Sequence, residues 1–159
     1  MKTIIKNDKI IVFLRNDFNL KEESLEDYFK SMLLTLNKKY DLELNGYYNV
    51  DVYKDTYGMA IELSMEDLDY YNYFNQVDMN INILPSKGFL YEIAYEFLND
   101  VKTKYISYIY HNKIYIKMID KLSDIALAHL FELTNVIYGS KAEEILKYGK
   151  KVDLWQSQL

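Results

Sequence analysis

The sequence contains no cysteine, one proline, five glycines and one tryptophan among 159 residues. The absence of cysteine excludes a disulfide framework, thiol catalysis, iron–sulfur ligation and thiolate zinc sites within this chain. With Pro85 alone and so few glycines, the sequence has no flexible linker rich in Pro, Gly and Ser. We therefore expect one compact domain over residues 1–159, with residues 152–159 as a loosely held tail.

Long apolar runs are also missing. No window reaches the roughly 18 apolar residues that a membrane span needs. Lys2, Lys6 and Asp8 interrupt the N-terminus before a signal-type apolar stretch can develop. Half of the residues are hydrophobic and 27% are charged, which excludes an intrinsically disordered chain. These features predict a soluble, cytoplasmic globular protein with no membrane-spanning segment.

The net charge of −5 is concentrated in the middle of the chain. Residues 41–78 contain nine acidic side chains, seven tyrosines and one basic side chain, Lys54. A field of this sign repels phosphate backbones, and Arg15 is the only arginine beside 18 lysines. Direct nucleic-acid binding is therefore disfavoured. An AT-rich coding sequence would also enrich Lys, Asn, Ile and Tyr, but it does not explain why the acids cluster.

The first 40 residues change from a strand pattern to a helix pattern. Two β-rich runs, 3–6 and 9–15, flank an Asn-Asp turn dipeptide, which predicts a hairpin. From Leu25 to Leu36 the apolar residues recur at the spacing of one helical face. Ser24 is the predicted N-cap of this helix.

Alternation of apolar and polar residues returns in the middle of the chain. Residues 47–54 and 57–65 predict a second antiparallel hairpin. Residues 77–83 predict a strand with one buried face, which ends before Pro85.

A third hairpin is predicted from residues 104–110 and 113–119 around His111 and Asn112. Residues 89–101 fit both a strand and a helix, and we favour a strand that runs into a helical turn.

Two helices are predicted near the C-terminus. An apolar stripe that includes His129 runs to Ile137, with Gly139 as the helix stop. Residues 140–143 have the form of a capping box, and Gly149 ends the second helix. The order of elements predicts an α+β fold with a mainly antiparallel sheet, one N-terminal helix packed on it and two C-terminal helices.

Two patterns resemble the spacing of metal ligands. Residues 78–82 have the opening spacing of a calcium loop, but Ile83 and Phe89 occupy the positions that need glycine and glutamate. His129 and Glu132 lie three residues apart, a spacing at which two side chains can share a metal. Because His129 falls on the apolar stripe, we interpret it as a core histidine. We therefore predict neither a bound metal nor a cofactor.

The sequence contains no motif for a phosphate loop, a dinucleotide fold, a serine hydrolase or a zinc protease. Carboxylate pairs in residues 66–69 keep a carboxylate-based enzyme as a third hypothesis, since only their spatial separation decides such chemistry.

The most distinctive segment is 66–76, where acids are followed by tyrosines and asparagines. Its candidate partner-binding residues are Glu66, Asp67, Asp69, Tyr70, Tyr71 and Tyr73. Tyrosine and asparagine beside acids are typical of protein-binding surfaces, although rings that seal a sheet edge would explain the same residues.

The leading hypothesis is a non-enzymatic binding or regulatory domain. It would use the acidic, Tyr/Asn-rich surface of residues 41–78 to engage a protein partner or to self-associate. The alternative is an acidic nucleic-acid mimic that inhibits a nucleic-acid-binding enzyme, as anti-restriction and anti-CRISPR proteins do.

Overall fold

The computed structural model describes residues 2–5, 9–15, 22–40, 46–55, 58–67, 77–84 and 88–155. Contacts divide the chain into two compact units. The first consists of Met1–Tyr53 and Gly58–Leu84, and the second of Lys54–Tyr57 and Pro85–Leu159. The expectation of a single domain over residues 1–159 stays a prediction. Within the described ranges, no helix is long and apolar enough to cross a membrane.

The first unit contains a five-stranded sheet in the order β1-β2-β4-β3-β5. Its strands are β1 (Lys2–Ile5), β2 (Lys9–Arg15), β3 (Gly46–Lys54), β4 (Gly58–Asp67) and β5 (Val77–Leu84). β1 and β2 pair antiparallel, which confirms the first predicted hairpin, and β2 also pairs antiparallel with β4. β3 and β5 pair in parallel. β5 is therefore an edge strand whose partner is not the strand before it in the chain.

Helix α1 (Glu22–Tyr40) covers one face of this sheet. Its buried residues recur at helical spacing, as predicted, and they are Leu25, Phe29, Met32, Leu33 and Leu36. The helix begins at Glu22, so Ser24 lies inside it rather than at its N-cap. Lys38 and Lys39 in the last turn match the negative end of the helix dipole.

The sheet contributes alternate residues to the core beneath α1. Tyr48, Val50 and Val52 of β3 and Met59, Ile61 and Leu63 of β4 are almost fully buried. On β5 the predicted apolar face is buried at Met79 and partly buried at Ile81, but Ile83 is 37% exposed. Because β5 lies at the edge of the sheet, its C-terminal end is less covered than the end of a central strand.

The second unit contains another five-stranded sheet, in the order β10-β7-β8-β6-β9, and its strand pairs are antiparallel. Its strands are β6 (Leu90–Ile93), β7 (Tyr105–Tyr110), β8 (Lys113–Met118), β9 (Thr134–Ile137) and β10 (Lys150–Val152). After β6 the chain forms a 3-10 helix, Tyr95–Asp100. This confirms the prediction of a strand that runs into a helical turn within residues 89–101.

The hairpin of β7 and β8 has a two-residue turn of the predicted composition. His111 and Asn112 have φ angles of 47° and 61°. Positive φ at both central residues matches a type I′ turn, whose twist suits antiparallel strands.

Helix α2 (Asp124–Leu133) is shorter than predicted. The chain becomes extended at Thr134, whose hydroxyl donates to the carbonyl oxygen of Leu130 at 2.6 Å, and then forms β9. Ile137 therefore lies on a strand, and the prediction of a helix up to Gly139 was wrong.

Helix α3 (Gly139–Tyr148) begins where a helix stop was predicted. Gly139 has a φ of 65°, and Tyr138 precedes the helix without a side-chain capping bond, so the capping box predicted at 140–143 is not formed. Gly149 does end the helix, with its N–H donating to the carbonyl oxygen of Ile145 at 2.7 Å.

The start of the C-terminal segment is tied to β7, where we expected a loose tail over 152–159. The hydroxyl of Ser107 donates to the carbonyl oxygen of Val152 at 2.7 Å and accepts from the N–H of Leu154 at 3.2 Å. The ring of Trp155 contacts that of Tyr105 at a centroid distance of 5.2 Å. The buried Ser107 of β7 thus binds the backbone of Val152 and Leu154, so the chain stays beside β7 just beyond the end of β10.

The α+β class and the mostly antiparallel strand pairing are confirmed. The described residues form two sheets where one was predicted, and the 3-10 helix is added to the N-terminal and the two C-terminal α-helices.

Candidate functional site

Alternation along β3 gives the first sheet two different faces. Tyr48, Val50 and Val52 are buried beneath α1, and the side chains between them lie on the opposite face. Those side chains are Tyr47, Asn49, Asp51 and Tyr53, and all four are half-buried. The face opposite α1 is therefore polar along β3.

The parallel pairing of β3 with β5 extends this polar face by one strand. Asn49 lies opposite Asn80, and Asp51 lies opposite Asn82. The amide nitrogen of Asn82 donates to Oδ1 of Asn49 at 3.0 Å and to Oδ1 of Asp51 at 3.1 Å. Longer bonds of 3.4 Å run from Asn80 to Asn49 and from Asn49 to Asp51. We call these four residues the Asn/Asp cluster.

Asp51 is the one charged member of the Asn/Asp cluster. Both amide hydrogen bonds reach its Oδ1, and no other side chain in the described part of the chain bonds to the carboxylate. Its Oδ2 therefore keeps acceptor capacity for water or for a group on another molecule. The neighbouring amides hold this charge in place without neutralising it.

Acidic groups and a tyrosine border the cluster. The pKa of Tyr53 is raised above its ordinary value, chiefly by burial and further by the charges of Glu62 and Asp51. Glu62 of β4 also pairs with Lys9 of β2, with 3.6 Å between Nζ and Oε2. This pair offsets part of the acidic charge on the face.

The remainder of the same face differs in character. Ile11 and Phe13 of β2 and Ala60 of β4 lie between the core-facing residues of their strands, yet they are buried. Apart from Lys2 and Lys9 at the N-terminal ends of β1 and β2, the half-exposed polar residues described on this face therefore lie on β3, β5 and β4.

The chemistry of the Asn/Asp cluster suits recognition better than catalysis. One carboxylate and three amides provide no second acid or base for proton transfer. Ca²⁺ takes about 6–8 oxygen ligands and is usually held by several carboxylates. Within the described residues, no group of three or more His, Asp or Glu side chains is placed to hold a metal ion.

The predicted partner-binding residues lie next to this surface in the sequence. Glu66 and Asp67 are the last two residues of β4, but their side chains lie outside the described part of the chain. Asp69, Tyr70, Tyr71 and Tyr73 also lie outside the described residues. Their role in binding stays a prediction.

The candidate metal residues that the structure describes lie on a strand and on a helix. Asn80 and Asn82, from the calcium-like pattern, bond to amide and carboxylate groups of β3, so the alternative interpretation as the polar face of a strand is correct. His111 is a turn residue, as predicted. His129 and Glu132 are both exposed on α2, and the interpretation of His129 as a core histidine was wrong. Because α2 is apolar on most sides, its periodicity does not define a single buried face.

Sequence reasoning missed Asn49 and Asp51 as members of a site. In the sequence, Asn49 and Asp51 alternate with tyrosine and valine, and Asn80 and Asn82 alternate with methionine and isoleucine. The missing information was that β3 pairs with β5 in parallel, since these strands are separated in the chain by β4.

Comparison of the chain with known protein families, curated proteins and solved structures finds no match.

Proposed function

We propose that this chain is a non-enzymatic binding or regulatory domain that engages a protein partner, or a second copy of itself, through the surface of residues 41–78. The Asn/Asp cluster is the observation that carries the proposal. It supplies the described part of that surface with fixed hydrogen-bonding groups, and Asn80 and Asn82 extend the surface just beyond residue 78.

The composition of the polar face supports a protein partner. Tyr47 and Tyr53 flank Asn49 and Asp51 on the same face of β3. Tyrosine gives a large contact area at low conformational cost, and asparagine amides both donate and accept hydrogen bonds. Because a network of bonds already positions the amides of the cluster, little side-chain entropy would be lost on binding.

Asp51 indicates what the partner should present. Its Oδ2 is open to an additional donor, and the surrounding segment carries an excess of acidic residues. An arginine or lysine of the partner opposite Asp51 would form a charge-assisted hydrogen bond there. Complementary charge would also speed association.

The alternative, an acidic mimic of nucleic acid, receives less support from the same face. A mimic of the phosphate backbone needs a row of carboxylates that are not neutralised. Here Glu62 pairs with Lys9, and Asp51 lies among three neutral amides. The third hypothesis, a carboxylate-based enzyme, needs a second carboxyl group that the Asn/Asp cluster does not supply.

The proposal is tested in two steps. A pull-down with the full chain from the native host first identifies a candidate partner, which is then purified and titrated by calorimetry against defined variants. Asp51→Asn keeps the shape of the side chain and removes its charge, and the double variant Tyr47→Ser/Tyr53→Ser removes both rings.

We expect the tyrosine variant to lose at least tenfold in affinity, which is about 1.4 kcal/mol, and Asp51→Asn to lose less and to associate more slowly. Tyr148→Ser is the matched control, since Tyr148 is an exposed tyrosine of the second unit. Full affinity of both face variants for the purified partner would contradict binding through the Asn/Asp cluster and its flanking tyrosines.

A further inference from the structure

Three strand ends meet beside one cleft in the second unit. β8 and β9 both pair antiparallel with β6, so both begin where β6 ends and where the chain turns into the 3-10 helix. The cleft at this position has a volume of about 410 Å³. Its polar and aromatic lining consists of Glu92, Tyr95, Phe97, Asn112, Lys113 and Asn135. We call it the strand-end cleft.

The charges in the strand-end cleft cancel. Lys113 Nζ lies 3.2 Å from Oε1 of Glu92, and this hydrogen-bonded pair raises the pKa of Lys113 above its ordinary value. A phosphate or carboxylate ligand would have to compete with Glu92 for the ammonium group. The balance of charge therefore favours a neutral ligand.

The other polar side chains of the cleft have hydrogen-bonding groups available for a ligand. The amides of Asn112 and Asn135 and the hydroxyl of Tyr95 form no hydrogen bond to another described residue. Each of these groups both donates and accepts. A ligand that matches them must also carry groups that donate and accept, as alcohol hydroxyls do.

Two aromatic rings are exposed at the same place. Tyr95 is 74% exposed and Phe97 is 38% exposed, although large apolar side chains are usually covered. Ile93, Ile114 and Leu133 add further apolar surface to the lining. The cleft thus combines ring faces with hydrogen-bonding groups and is open to solvent.

We propose that the strand-end cleft binds a neutral saccharide. A sugar ring presents C–H groups on its faces, which pack against an aromatic ring, and hydroxyls at its rim, which both donate and accept hydrogen bonds. Tyr95 provides the ring, and Asn112, Asn135 and the Glu92–Lys113 pair provide the polar contacts. A hydrocarbon would leave these polar groups without partners, and a phosphorylated ligand would meet a cation that is already paired.

The site is independent of the surface proposed for protein binding, because it uses residues of the second unit alone. The volume of the cleft lies within the range of about 300–1,000 Å³ that is usual for small-molecule sites.

The test is a titration of the full ¹⁵N-labelled chain followed by NMR. The probes are maltotriose, cellotriose and the fully N-acetylated chitotriose, with adenosine and trialanine blocked at both termini as probes of two other neutral ligand classes. We expect at least one trisaccharide to shift the amide signals of residues 92–97, 112–114 and 133–135 in a saturable manner. The signals of β7 and β10 should shift less, because these strands do not line the cleft.

Variants assign the binding to the cleft. Tyr95→Ala and Asn135→Ala should each weaken the affinity for that saccharide at least tenfold. Tyr148→Ala and Asn99→Ala are matched controls, since both are exposed residues of the same unit outside the lining. All four positions are exposed, so the variants should keep the unfolding midpoint of the parent.

The proposal is overturned if none of the three trisaccharides shifts the cleft signals, or if adenosine or trialanine binds more tightly than every saccharide. It is equally overturned if the control variants weaken binding as much as Tyr95→Ala does.

Discussion

The amide of Asn82 donates a hydrogen bond of 3.1 Å to Oδ1 of Asp51, the residue directly opposite it on the parallel strand β3. Hydrogen bonds to charged groups are stronger than those between neutral groups. Because both side chains are partly exposed here, water weakens this bond. We expect a double-mutant cycle of Asp51→Ala and Asn82→Ala to give a coupling free energy of about 0.5–1.5 kcal/mol. Urea unfolding of the four proteins measures it.

Asn80→Ala is the control for this cycle, because the Asn80 amide donates to Asn49 at 3.4 Å and makes no hydrogen bond to Asp51. If the coupling free energy of Asp51 with Asn80 is as large as that with Asn82, the hydrogen bond between Asn82 and Asp51 is not the source of the coupling.

Two adjacent leucines of α1 provide a test of the core. Leu33 is 1% exposed beneath the first sheet, whereas Leu34 is 57% exposed. Leu33→Ala should lower the free energy of unfolding by about 2–5 kcal/mol, because it removes buried methyl groups and leaves a cavity. Leu34→Ala should change it by less than about 0.5 kcal/mol. Equal losses would show that the face assignment of the helix is wrong.

The turn of the third hairpin tests backbone strain. His111 has a φ of 47°, a conformation that asparagine tolerates and valine does not. We expect His111→Val to destabilise the protein by about 1–3 kcal/mol and His111→Asn to leave its stability near that of the parent. Both variants lose the ring contact with Tyr110. The difference between their thermal unfolding midpoints therefore measures the cost of the backbone conformation.

Local patterns predicted much of this fold. The α1 stripe, the alternation of β3 and β4, and the His-Asn turn are each set by neighbouring residues, and the structure confirms them. The boundary between α2 and β9 was missed because an apolar pattern continues through Thr134, where the chain becomes extended and pairs with β6. Pairing with a strand that is distant in the sequence cannot be read from a local apolar pattern.

The candidate sites were harder to predict than the elements. The Asn/Asp cluster requires the pairing of β3 with β5, and the strand-end cleft requires three strands from distant parts of the chain. Long-range pairing of this kind depends on the packing of the whole sheet rather than on local periodicity. The tyrosines of residues 70–73 form a conspicuous group because they are close together in the sequence, and they lie outside the described residues.

The Glu92–Lys113 pair predicts a pH dependence. Since the folded pKa of Lys113 lies above its ordinary value, the stabilisation by the pair is complete below about pH 10 and is lost as the pH rises through the raised pKa. In Glu92→Gln the pKa of Lys113 should fall, because the negative charge that favours the protonated lysine is removed and the amide oxygen of glutamine is a weaker acceptor than a carboxylate. NMR titration of the lysine side chain measures this shift. Glu96→Gln, on the 3-10 helix, is the control and should leave the pKa of Lys113 unchanged.

The last prediction separates the two binding hypotheses for residues 41–78. If tyrosines supply the affinity, replacing Tyr70, Tyr71 and Tyr73 with Ser should remove most of the binding to the purified partner. Neutralising Glu66, Asp67 and Asp69 as amides should then chiefly slow association. If the acids imitate phosphates, the amide variant should instead abolish binding, affinity should fall steeply with salt, and nucleic acid should compete for the same partner.

Circular dichroism and the unfolding midpoint come first, because tyrosines that seal a sheet edge would destabilise the fold when they are removed. Calorimetry at two salt concentrations then compares the two triple variants with the parent and with Tyr148→Ser. If both triple variants fold and keep full affinity, the partner does not bind residues 66–73. In that case the Asp51→Asn and Tyr47→Ser/Tyr53→Ser variants determine whether it binds the Asn/Asp cluster instead, because that cluster is formed by β3 and β5 without the side chains of 66–73.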